Sequence, residues 1–177
     1  MEERRISKEA NNFMKISEEQ LITAIRNCEA MDFGTFGKGF SSETIEKAED
    51  KLGLKFPPSY KWWLKNYFSG NLGSYEILGL YEDYYNESEN KNMAFPGDIV
   101  YNDFINLKNN NDFFSKDRLE LLNFDGDEVF YFDITSRINE EWTVRVIEYS
   151  YDESDSKLYG EDFSEFLYKL TKTFTQN

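Results

Sequence analysis

The chain has no histidine. That absence removes the commonest general base and metal ligand near neutral pH, and it rules out Ser-His-Asp and Cys-His arrangements in their usual form. Cysteine is nearly absent too. Cys28 stands alone, so no disulfide forms within the chain, Cys-based catalysis is disfavoured, and a reducing compartment, the cytoplasm, is expected. Long apolar runs are missing: no segment approaches the ~20 apolar residues a membrane helix needs, and Met1-Glu-Glu-Arg-Arg-Ile-Ser-Lys-Glu-Ala10 offers no apolar core for a secretory signal. Positive charge is scarce, with 20 Lys and Arg against 34 Asp and Glu and a formal charge of -14. The one dense basic pair, Arg4-Arg5, follows Glu2-Glu3. Such a polyanion repels phosphate backbones and anionic lipid, which argues against direct nucleic-acid or membrane binding and for an electropositive protein as partner.

What is present suits one domain. A chain of 177 residues with 40% hydrophobic and 18% aromatic content can fill a single packed core. Residues 1–15 are polar and charged and are expected to form a loose leader, with the domain proper over 16–177. Ser17-Glu-Glu-Gln20 is a capping-box pattern, with Ile16 and Leu21 placed as a hydrophobic staple. Leu21, Ala24, Ile25 and Cys28 continue at helical spacing and predict a first helix with Cys28 in the core. From Asp32 to Phe40, three glycines alternate with three phenylalanines, which predicts a loop laid over the core by its rings. The Gly-x-x-Gly-x-Gly spacing there also suggests a phosphate loop, but no strand is expected before it, no Gly-Lys-Ser/Thr follows, and Ser41 or Ser42 already supplies a cap for the next helix.

The most informative stretch runs from Ile45 to Tyr67. Ile45, Ala48 and Leu52 recur at helical spacing, Gly53 can take the left-handed conformation that ends a helix, and Phe56-Pro57-Pro58 forces an extended corner with Pro58 suited to a first helical position. Tyr60, Trp63, Leu64 and Tyr67 form the stripe of a second helix. Beyond it, Tyr75 to Leu80 reads as a short strand and Tyr81 to Asn92 as an exposed acidic loop. Ile99-Val-Tyr101 fits either a strand or the start of a helix running through Phe104, Ile105 and Leu107 to the turn residues Asn109-Asn-Asn111. Leu119 to Phe124, an Asp125-Gly126 turn and Glu128 to Ile134 predict a hairpin, with a third strand over Trp142 to Tyr149. Asp152 to Lys157 reads as a solvated loop. Phe163, Phe166, Leu167, Leu170 and Phe174 mark a closing helix capped by Asp162, with Glu165 three residues on. The order predicts an α+β fold: one domain with an antiparallel or mixed β-sheet, N-terminal helices and a C-terminal helix packed on it.

Several of these segments occur together in one known group. Ile45 to Tyr67, then Gly70 and Tyr75-Glu-Ile-Leu-Gly-Leu80, resemble the helix, Pro corner, helix and Gly-bearing strand of the SUKH superfamily, the Smi/Knr-like proteins. Phe124-Asp-Gly-Asp-Glu-Val-Phe-Tyr-Phe-Asp133 is similar to that group's Asp-Gly strand pair, except that Asp127 and Glu128 stand where a glycine is usual. Asp162-Phe-Ser-Glu-Phe-Leu167 is similar to its closing helix. The resemblance spans roughly Ser17 to Leu170. It implies an immunity protein that binds and neutralises a cognate polymorphic toxin domain, often a nuclease, by occluding its active site. The alternative it implies is a regulatory scaffold of cell-wall assembly with several weak partners.

The residues themselves offer little catalytic chemistry, and no catalytic residue, cofactor or metal site is assigned. Asp125-Gly-Asp-Glu128 is the tightest carboxylate cluster, and hard cations prefer oxygen ligands. A turn is the stronger account of it, because Asp-Gly is a hairpin signal and alternate strand residues face opposite ways. Whether Asp125, Asp127 and Glu128 hold a cation stays open at this point. A carboxylate-dependent hydrolase would need two acids with raised pKa values in one deep pocket. The aromatic surplus points elsewhere: Tyr81, Tyr84, Tyr85, Tyr149, Tyr151 and Tyr159 lie beside acids, and tyrosine is favoured at protein interfaces. The expected partner-binding residues are Glu82, Asp83, Tyr84, Tyr85 and Glu87 in the middle loop and Asp152, Glu153 and Asp155 near the end.

Overall fold

Helix α1 (Glu18–Arg26) starts at Ser17, whose Oγ accepts the Gln20 N–H at 3.3 Å while Gln20 Oε1 accepts the Ser17 N–H, so the expected capping box is formed. Leu21, Ala24, Ile25 and Cys28 are all buried. This is a computed structural model, and it describes residues 14–85, 94–109, 113–114, 117–123, 128–148 and 155–175. The leader call therefore lies almost entirely outside the described residues. Lys15, at its end, donates its N–H to Asp162 Oδ2.

After the short strand β1 (Met31–Asp32), the chain crosses the outside of the next helix pair. Phe33 and Phe40 are buried and Phe36 lies over Trp62 and Tyr67, as a loop held by its rings requires. At Gly39 a side chain would not fit, since a Cβ would sit 2.3 Å from the Leu64 carbonyl oxygen. Helix α2 (Ser42–Leu52) is capped by Ser41 and ends at Gly53 with φ +72°. Helix α3 (Pro58–Asn66) follows with Pro58 as its first residue. The corner between them is closed by a buried carboxylate. Glu49 accepts the Phe56 N–H at 2.9 Å and meets Lys55 and Lys61 Nζ at 2.9 and 3.1 Å. Burial pushes its carboxyl up, but the two lysines and the N–H outweigh that and hold it below its ordinary value.

The single sheet expected is in fact two, both antiparallel. Strands β2 (Gly70–Leu72) and β3 (Tyr75–Ile77) join β1 in the first. The short helices α4 (Glu82–Tyr85) and α5 (Ile99–Lys108) then intervene before β4 (Arg118–Glu120) and β5 (Leu122–Asn123). The second sheet is completed by β6 (Glu128–Ile138), β7 (Glu141–Glu148) and β8 (Lys157–Gly160), and the chain closes on α6 (Phe163–Thr175). The orders are β1-β2-β3-β5 and β4-β6-β7-β8. The split falls at Leu121. Its N–H still bonds Phe130 in the second sheet, while its carbonyl accepts the Leu78 N–H on the first. Leu119 pairs with Phe132 as the predicted hairpin requires, but Leu122 pairs with Ile77 instead. Leu121 and Leu122 are both buried, so period-two alternation breaks there and each face is covered. The Asp125-Gly126 turn lies outside the described residues.

Two further strand features were not expected. β6 runs on through a bulge between Asp133 and Arg137 into a two-residue turn, where Asn139 and Glu140 take φ 51° and 68°. That is the mirror-image turn that suits the twist of a hairpin, here built without glycine. β8 occupies a stretch whose first residue, Lys157, was read as the end of a solvated loop.

Tyr60, on α3, sits at the centre of the core. Its ring meets Phe163 at 5.1 Å, Phe132 at 5.3 Å and Trp63 at 5.7 Å, and its hydroxyl donates to the Leu78 carbonyl at 2.6 Å. Helix, second sheet and closing helix thus share one aromatic cluster. The outcome is the α+β single domain expected, with six helices and two antiparallel sheets among the described residues.

Candidate functional site

The middle acidic segment is organised by a residue that the sequence reading passed over. Asp98 is fully buried and accepts from four donors: the Tyr85 hydroxyl, whose one proton is shared between the two carboxylate oxygens at 2.7 and 2.8 Å, and the N–H groups of Tyr81, Val100 and Tyr101 at 2.8 to 2.9 Å. It caps α5 and fastens α4 to that cap. Burial pushes the Asp98 carboxyl above its ordinary value against the pull of these donors, and burial beside Asp98 pushes the Tyr85 hydroxyl well up, so the phenol stays a donor.

This settles what surrounds each candidate. Tyr85 is 5% exposed and belongs to the core, so as a surface contact it is corrected: its ring is covered and its hydroxyl taken. Of the exposed loop expected over Tyr81 to Asn92, Glu82–Tyr85 form a helical turn, and residues 86–92 lie outside the described residues. Glu82 and Asp83 are fully on the surface. Tyr84 is half-buried, with Lys51 Nζ 4.0 Å above its ring and Phe95 and Tyr101 against its edges. Glu87, Asp152 and Glu153 lie outside the described residues, as do Tyr149 and Tyr151.

Asp155 is exposed at the approach to β8. With Glu128, Glu148 and Lys157 it borders a groove of about 390 Å³ floored by Val146 and Ile147. Glu128 and Glu148 face one another directly in the β6–β7 register, an unfavourable like-charge pair. No hydrogen bond, ion pair or ring contact among the described residues joins α4 to Asp155. Asp125 and Asp127 lie outside the described residues. Among the described residues no group of three or more His, Cys, Asp or Glu could hold a metal ion.

Four carboxyls are pushed up by burial: Asp98, Asp103, Glu120 and Glu141, the last to about 7. Three of them hold structure. Glu141 accepts the Ser59 N–H at 2.7 Å and its Oγ–H at 2.6 Å, and Ser59 Oγ in turn accepts the Phe163 N–H at 3.2 Å, so one carboxyl ties the starts of α3 and α6 together. Glu120 Oε2 accepts from Asn102 and Asn106 at 3.0 Å each. Asp103 has no hydrogen bond or ion pair among the described residues. It follows buried Ile99 by four residues and Val100 by three, on a side of α5 that opens to solvent one turn later at Leu107, a surface that sequence reasoning missed. The signal was available: α5 carries apolar residues round too wide an arc for one buried stripe, and so some of them must face outward.

Among the described residues the arrangement offers acids, rings and structural carboxyls, and the hydroxyl–carboxylate pair of Ser59 and Glu141 is buried away from solvent. Comparison with known families agrees in kind. The chain matches the SUKH_6 family model, described as SMI1-KNR4 cell-wall, over residues 42–167, and it belongs to the SUKH superfamily. The matched span begins at α2 and ends inside α6, which covers the Pro corner, the second sheet, the first sheet except β1, and the acidic turn. No curated protein matches the chain. No helix among the described residues is long and apolar enough to cross a membrane.

Proposed function

We propose that this protein is an immunity protein: it binds the toxic domain of a cognate polymorphic toxin and neutralises it by lying over the active cleft. Membership of the SUKH superfamily together with a formal charge of -14 carries this reading. A nuclease toxin must present cations to phosphate, and an acidic protein competes for that field, speeds the encounter and excludes the substrate. Glu82, Asp83 and Tyr84 on α4 form one contact set, with Glu87 beyond it. Asp152, Glu153 and Asp155 form a second. The protein performs no bond-making of its own and acts in the cytoplasm of the toxin-producing cell and its siblings. Mixing the purified chain with the toxic domain encoded beside it should abolish that domain's activity at equimolar ratio. Failure to form a complex at low salt would sink the proposal. The family's cell-wall association favours a second reading, a cell-wall assembly regulator, which pull-down stoichiometry separates from the first by several substoichiometric partners in place of one stoichiometric one.

A further inference from the structure

Helix α5 is anchored at one end and open at the other. Ile99 and Val100 are buried, whereas Phe104 is 53% and Leu107 49% exposed, and their spacing of three puts both on one face. Asp103, four residues before Leu107, shares that face. Asn102 and Asn106 turn to the other flank, where Glu120 takes both their amides. Asp103 is left half-covered with no donor among the described residues, and burial pushes its carboxyl up. A partly desolvated, unpaired carboxylate beside two open apolar side chains costs the free chain stability, and an incoming guanidinium or ammonium would relieve that cost.

Phe104 is three residues after Tyr101, so its side of the face runs towards α4. The Tyr101 ring meets Tyr84 at 5.6 Å and Phe95 at 5.8 Å, and Tyr81, Glu82 and Asp83 are exposed beyond them. An apolar centre with a charged rim is the usual anatomy of a protein interface. Among the described residues the cations on and around α5 include Lys108 in its last turn, Lys51, which is engaged over Tyr84 and on its carbonyl, and Arg118 on β4, which is engaged over the Phe113 ring and on its carbonyl. A second copy of the chain is a poor occupant, because a two-fold contact would bring Asp103, Glu82 and Asp83 against themselves.

Resting on the immunity reading, we propose that Phe104 and Leu107 around Asp103 are the apolar centre of the surface that meets the toxin domain. The α4 turn is its acidic rim, and the face receives a basic protrusion of that domain, an arginine or lysine beside an apolar side chain.

The test is calorimetric titration of the full chain with the isolated toxic domain encoded beside it. Phe104→Ser and Leu107→Ser should each weaken binding by roughly 30-fold or more, the range of an interface hot spot. Asp103→Asn should weaken it about 10-fold and reduce its salt dependence. Ile138→Ser, at an exposed residue at the end of β6, should leave affinity unchanged. The three serine variants should keep the parent's thermal midpoint, and Asp103→Asn should raise it. Unchanged affinity in Phe104→Ser and Leu107→Ser, with the parent chain binding, overturns this inference and leaves the immunity reading standing. A parent chain that does not bind at all overturns both. A monomer–dimer equilibrium of the free chain that Phe104→Ser abolishes makes the face a self-interface and also overturns the inference.

Discussion

Glu141 makes the stability of this protein depend on pH in a way that one substitution can isolate. The side chain is 1% exposed, and burial raises its carboxyl from 4.5 to about 7 despite the two Ser59 hydrogen bonds. A carboxyl raised on folding binds its proton more tightly in the folded chain. Its contribution is therefore complete below pH 4.5 and is lost as pH rises towards 7, where the folded protein must carry a buried charge. The difference of about 2.5 pH units corresponds to roughly 3 kcal/mol lost across that window. Glu141→Gln removes the titration but leaves one Ser59 donor less well met, at about 1 kcal/mol. The variant should therefore be about 1 kcal/mol less stable than the parent below pH 4.5 and about 2 kcal/mol more stable at pH 8, with the two curves crossing near pH 5. Urea unfolding followed by tryptophan fluorescence at half-unit intervals from pH 4 to 8 measures the difference directly. Every other acid cancels in the comparison. A difference that stays flat from pH 5 to 8 would show that Glu141 ionises at its ordinary pKa and that the Ser59 bonds, not desolvation, decide its state.

Other perturbations have signs fixed by the same geometry. Tyr85→Phe deletes the only side-chain donor to buried Asp98 among the described residues and should cost about 2 kcal/mol in urea unfolding, while leaving toxin affinity unchanged because the ring is covered. Thr143→Val replaces a buried hydroxyl that has no partner and should raise stability by about 1 kcal/mol; a loss of that size would mean the hydroxyl is satisfied. Glu140→Gly relieves a left-handed residue in the β6–β7 turn and should add up to about 1 kcal/mol, read as a higher urea midpoint at constant slope. Raising salt from about 0.05 to 0.5 M should stabilise the free chain by screening its self-repulsion and slow toxin association, and stopped-flow mixing checks the latter.

Most helices were legible because local chemistry fixed them. Ser17 with Gln20, Gly53 and Pro58 each mark a boundary where the backbone does what the residue permits, and the stripes of α1, α3 and α6 pointed to the core that formed. The capping of α6 was right in its anchor and shifted in its partner. Asp162 Oδ1 takes the Glu165 N–H, while the Glu165 side chain reaches back to the N–H of Glu161 instead of Asp162. What failed was long-range. The division into two sheets rests on Leu121 bonding one way through its N–H and the other through its carbonyl, a choice set by Leu78, which lies 43 residues earlier. The polar strand β8 exists because β7 offers it an edge, which Lys157-Leu-Tyr-Gly160 does not announce. Tyr85 looked like its exposed neighbours because nothing local distinguishes it. Only the arrival of Asp98, 13 residues later, makes it a core residue.

The acids of this chain divide into two populations whose physical roles oppose each other. Glu49, Asp98, Glu141 and Asp162 are buried, and each accepts backbone N–H groups where a helix begins or the chain turns a corner. In place of lost water they receive oriented donors, and at a helix start the dipole favours them as well. These four hold α2 to α3, α4 to α5, and α3 to α6. Of the less buried acids, Glu120, Asp133 and Glu165 also bond the fold, but others do nothing comparable. Glu128 stands directly against Glu148, and Asp103 is half-covered and unpaired, so the free chain carries repulsion that its own packing does not need. Neutral residues at those positions would build the same sheets and the same α5. An excess of charge that weakens the free protein and has no internal partner is accounted for if it acts on another molecule. The opposite charge must then come from the partner, which is why binding should be strongest where salt is lowest and folding strongest where salt is high.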